Sequence, residues 1–99
     1  MDAVKREAVV EIMRAGVFDL VRRWYEQTGE ALKLQVVSQR YGRMSRQTGV
    51  TLVSLVESDE RLVHKMSRRG AVLVAPRELL EAEYPDAIHL FWQSHGVPV

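Results

Sequence analysis

The feature that most limits what this chain can become is a change of period near residue 60. Before it, apolar residues recur at intervals of three and four, the spacing of one helix face; after it they alternate, the spacing of a strand. Leu62-Val63-His64-Lys65-Met66 leads into Ser67-Arg68-Arg69-Gly70, and Ala71-Val72-Leu73-Val74-Ala75 leads out to Pro76. Strand, glycine-bearing turn and β-branched strand predict a β-hairpin over 62–75 with two arginines at its tip.

The residues before the switch set its context. Val4, Ala8, Val9, Ile12, Met13, Val17, Leu20, Val21 and Trp24 share one helical face and predict a long first helix within residues 1–28. Gly16 interrupts it at a cost of about 1 kcal/mol, and Gly29 suits the left-handed position that ends it. Ala31 to Leu34 alternates briefly, predicting a minimal strand at 32–34. Leu34, Val37, Tyr41 and Met44 return to helical spacing, so a second helix is expected at about 35–47, closed by Gly49. Thr51 is placed to cap a short third helix carrying Leu52, Leu55 and Val56, which stops around Ser58-Asp59. Pro76 suits the first position of a fourth helix, from Arg77 to about Tyr84. Residues 85–99 form an apolar tail with Ile88, Leu90, Phe91 and Trp92 in a last helical turn. This order (helix, short strand, helix, helix, hairpin, helix) is that of an α+β winged-helix domain with the hairpin as its wing. One such domain accounts for all 99 residues.

The stretch from Leu34 to Pro76 resembles the LOTUS family, also called OST-HTH. The resemblance rests on Tyr41 in the second helix, Gly49, the short Leu52-Val53-Ser54-Leu55-Val56 helix, the acidic stop Glu57-Ser58-Asp59 and the hairpin from Leu62 to Ala75. It implies a winged-helix fold and an association with RNA. Val50 stands where the family usually has an aromatic residue, and the spacing from Gly49 to the first leucine is short. Other winged-helix families therefore stay open, DNA-binding repressors and plasmid or phage regulators among them.

A net charge of +1 hides an uneven distribution. Residues 33–70 carry eight basic side chains against three acidic ones, while the segments on either side are acidic. Arg40, Arg43 and Arg46 recur every three residues on the second helix, and Lys65, Arg68 and Arg69 belong to the wing. A guanidinium donates two parallel hydrogen bonds to phosphate, so these six are the candidate nucleic-acid contacts, with Gln47 beside them for sugar or base edges. The third helix offers no Arg, Lys, Asn or Gln to read base edges, and its acidic end repels phosphate. Contact through the second helix and the wing, with RNA or DNA, is the reading that results. The rival reading is a protein-interaction adaptor or inhibitor whose contact surface is Leu90, Phe91 and Trp92. A homodimer fits either reading.

Zero cysteines exclude disulfides, thiolate metal sites and cysteine nucleophiles, and fit a reducing compartment. Neither a membrane-length apolar run nor an apolar leader is read, so a cytoplasmic protein is expected. His64, His89 and His95 have no recognised metal-ligand spacing, and there is no phosphate-binding glycine loop and no G-x-S-x-G. The expectations are therefore no catalysis, no metal, no cofactor and no small-molecule ligand. Met13, Met44 and Met66 read as core filler.

Overall fold

The computed structural model describes residues 1–98. Helix α1, Ala3–Thr28, starts where the Asp2 carboxylate accepts the Lys5 N–H at 2.8 Å, and stops at Gly29, whose φ of 70° only glycine adopts freely. Its buried ladder is Met13, Val17, Val21 and Tyr25, flanked by Val10 and Phe18. The expected stripe is thus displaced around the helix: Val4, Ala8 and Ile12 are exposed, and Trp24 gives up the inner position to Tyr25. The reason is partly length. A 26-residue helix runs about 39 Å, whereas five-residue strands cover about 17 Å, so the first turns of α1 project past the sheet. The Tyr25 hydroxyl also donates to the Glu83 carboxylate. Burial and that carboxylate push the Tyr25 phenol well above its ordinary value.

Strand β1, Leu32–Lys33, passes directly into α2, Leu34–Thr48, which ends at Gly49 with φ 73°. Helix α3, Leu52–Glu57, is capped by Thr51, whose hydroxyl accepts the Ser54 N–H at 3.1 Å. Strands β2, Leu62–Met66, and β3, Val72–Pro76, make the hairpin. Pro76 is therefore the last strand residue and N-cap of α4, Arg77–Glu83, rather than its first helical residue. Helix α5 spans Ile88–Ser94 and is a full element where a single turn was expected. It is separate from α4 because the residue before Pro85 is pushed out of the helical region, and Tyr84 has φ −124° and ψ 62°.

Among the described residues the protein is an α+β domain of five helices and one antiparallel sheet of order β1-β3-β2. Alternation along the strands gives the sheet two buried faces. Leu32, Leu62, Val72 and Val74 meet α1, α2 and α3 over Met13, Val17, Val37 and Leu55. Ala31, Val63, Leu73 and Ala75 meet Tyr25, Leu80, Phe91, Trp92 and Val97. Phe91 is 2% exposed and stacks edge-on or tilted against Tyr25, Tyr84, Trp92 and His95. The tail is thus the second core. Phe91 and Trp92, which the sequence left between a partner contact and burial on their own domain, are buried inside their own chain, where they cover the outer sheet face together with Leu80 of α4 and Tyr25 of α1. Leu90 stays exposed. Met66 is 59% exposed, not core filler, since the outer end of β2 extends past α3.

Gly16 has a packing purpose that its place in the apolar stripe hides. A Cβ there would lie 2.1 Å from the Tyr41 Oη and 2.7 Å from its Cζ, so the glycine lets the ring of α2 rest on the backbone of α1.

Candidate nucleic-acid interface

The basic side chains divide into paired and unpaired groups. Arg22 and Arg23 bond Asp19, with Glu26 also on Arg22; Arg14 meets Glu11, and Arg77 meets Glu81. Arg6 donates to the Thr48 carbonyl at 2.7 Å. Arg61 clasps Asp59 through two bonds of 2.9 and 2.8 Å while lying over the Phe18 ring at 4.0 Å. Among the described residues no carboxylate comes within 4.0 Å of Lys33, Arg40, Arg43, Arg46, Lys65, Arg68 or Arg69. The unpaired set falls almost wholly in the basic middle of the chain, where its charge acts outward.

Four of these cations share one groove, built from three adjoining concavities. The first, of about 290 Å³, lies between α2 and the start of α3 and is lined by Ser38, Gly42, Ser45, Arg46, Thr51 and Val53. The second, of about 280 Å³, shares Leu34 and Ser38 with the first and adds Lys33, Gln35, Gly70 and Ala71. The third, of about 430 Å³, shares Lys33 and Ala71 with the second and adds Ser67, Arg68, Arg69, Leu73, His95 and Gly96. No Asp or Glu lines any of the three. The first turn of α2 borders the middle concavity with no side-chain cap, so its free N–H groups add positive potential there.

The hairpin turn is held in place at the wide end. The Ser67 N–H donates to the Ala71 carbonyl at 2.8 Å, and the Arg68 N–H donates to the Gly96 carbonyl at 2.9 Å. His95 pins the opposite wall. Its Nε2 accepts the Ala31 N–H at 3.1 Å, which leaves the proton on Nδ1 to donate to the Phe91 carbonyl at 2.8 Å. That assignment makes the ring neutral.

The expected site residues separate on this frame. Arg46, Arg68 and Arg69 line the groove. With about 100° per residue, Arg46 stands about 80° around α2 from Ser38, Arg43 about 140° and Arg40 about 160°. Arg40, Arg43 and Gln47 are all exposed, but on the outer flank. Lys65 turns to a different concavity, with Val63, Arg77, Ile88, His89, Trp92 and Val97. The six cations therefore do not form one surface. Lys33 was missed although it is the one cation that lines two of the three concavities; set between Leu32 and Leu34, it reads as the polar position of a strand.

Asp59 has a different character from its reading as a phosphate-repelling charge. Its side chain is 6% exposed and neutralised by Arg61, whose hydrogen bonds hold the carboxyl below the usual aspartate value. The exposed residues of α3 are Val53, Ser54 and Glu57. Among the described residues no three His, Asp or Glu side chains are gathered closely enough to hold a metal ion, and no helix is long and apolar enough to cross a membrane. Comparisons with protein-family models, with curated proteins and with solved structures find no match to this chain.

Proposed function

We propose that this is a winged-helix nucleic-acid-binding protein that holds a sugar–phosphate backbone along the groove from Arg46, past Lys33, to Arg68 and Arg69. The observation that carries this reading is the coincidence of four cations, unpaired among the described residues, with a groove whose described walls include no Asp or Glu. Phosphate contacts of this kind supply affinity through released counterions and carry no sequence information of their own. The winged-helix reading is supported by the element order and by the β1-β3-β2 sheet, in which the hairpin follows two packed helices.

The groove favours backbone over bases. Its walls include no Phe, Tyr or Trp on which a base would stack. Exposed α3 side chains include none of the bidentate base readers. Gln35 and Ser38 lie beside Lys33 in the middle concavity, where a ribose hydroxyl would meet a donor and acceptor, so RNA suits the groove. The rival reading of the tail as a partner surface keeps only Leu90 of its three apolar residues exposed. The test is anisotropy at low salt with single- and double-stranded RNA and DNA. Arg68→Ala with Arg69→Ala should weaken binding about tenfold. Absence of binding by every strand, or an unaffected double variant, refutes the proposal.

A further inference from the structure

We infer that the wide end of the groove, between the wing turn and the end of α5, seats the terminal phosphate of a nucleic-acid strand. The inference rests on the reading of the groove as a backbone site and adds which part of the strand lies where. Three of the four groove cations, Lys33, Arg68 and Arg69, line this one concavity, and only Arg46 lines the far one. An internal phosphodiester carries a single charge, whereas a terminal monoester carries about −1.5 to −2 at neutral pH and three acceptor oxygens. Three unpaired donors gathered at one end match the second.

The lining of this concavity is held rigid, and it includes the His95–Gly96 turn. That turn is fixed by the Arg68 N–H on the Gly96 carbonyl, by the Ala31 N–H on His95, and by Val97, which is buried at 9% exposure. His95 is neutral there, so the positive charge comes from the three long side chains alone. At about 430 Å³ the space is larger than a phosphate and takes the sugar that bears it, over a floor of Ala71 and Leu73 too small for base stacking.

The test follows the amide resonances of Gly70, Ala71 and Gly96 in the labelled full chain at low salt. It uses one short oligonucleotide with a 5′-phosphate, with a 3′-phosphate, or with hydroxyls at both ends. One phosphorylated end should saturate the three signals at about fivefold lower concentration than the hydroxyl-ended strand. Lys33→Ala with Arg68→Ala should weaken all three strands and bring the ratio between phosphorylated and hydroxyl-ended strands to about one; both side chains are exposed, so the variant is expected to fold. Equal titrations for all three strands overturn the terminal-phosphate seat and leave the backbone groove standing. If no strand binds, phosphorylated or not, the groove and the terminal-phosphate seat both fall.

Discussion

Changing Phe91 to Ala separates a tail that is core from a tail that is appended. The ring is 2% exposed, with centroids 5.0 Å from Trp92, 5.6 Å from Tyr84 and 6.0 Å from Tyr25. Removing a buried phenyl ring costs about 3–5 kcal/mol, transfer and cavity together. A domain of this size is held by only about 5–15 kcal/mol. At about 4–8 °C per kcal/mol, the melting temperature should fall by roughly 12–40 °C. The neighbouring Leu90 is the control. It is 52% exposed on the same helix, so Leu90→Ala should change stability by less than about 0.5 kcal/mol. Urea unfolding followed by circular dichroism measures both. If Phe91→Ala unfolds at the same urea midpoint as Leu90→Ala, the outer sheet face is not covered by α5 and the second core does not exist.

Two further outcomes follow from the packing. Gly16→Ala gains about 1 kcal/mol of helix propensity but drives a methyl into Tyr41, an overpacking cost of about 1–3 kcal/mol, so calorimetry should show net destabilisation. The same change should become stabilising beside Tyr41→Leu. Asp59 titrates below the ordinary aspartate value of 3.8 because Arg61 bonds its carboxylate. Its contribution is thus complete above that value and lost as pH falls through the lower folded value. Wild type should lose more stability than Asp59→Asn between pH 4 and pH 2, as ΔG from urea melts, and parallel curves contradict this.

What could be read from the sequence was mostly local. Thr51 as a cap and Gly29 and Gly49 as helix ends depend on residues a few positions apart, and each stands as expected. The hairpin strand β2 also lies where alternation placed it, and β3 is shifted by one residue. Tertiary choices were harder. Trp24 and Tyr25 have equal claim to the inner face of α1 by spacing, and the Glu83 partner that favours Tyr25 lies 58 residues away. Gly16 looks like a helix defect until Tyr41 is seen against it. Arg40, Arg43 and Arg46 look like one patch in sequence, yet each step of three turns the helix by about 60° short of a full circle, so the set spreads over about 120°. Lys33 becomes a groove residue only because the hairpin turn and the end of α5 lie around it.

The dependence of binding on salt tests the central claim most directly. Four phosphate contacts in the groove predict a slope of log K on log salt steeper than about −3 with the flanking arginines intact. Replacing Lys33, Arg46, Arg68 and Arg69 by Ala should make that slope shallower by about 3 while the melting temperature is held. A slope that those four substitutions leave unchanged contradicts the account, whatever the affinity.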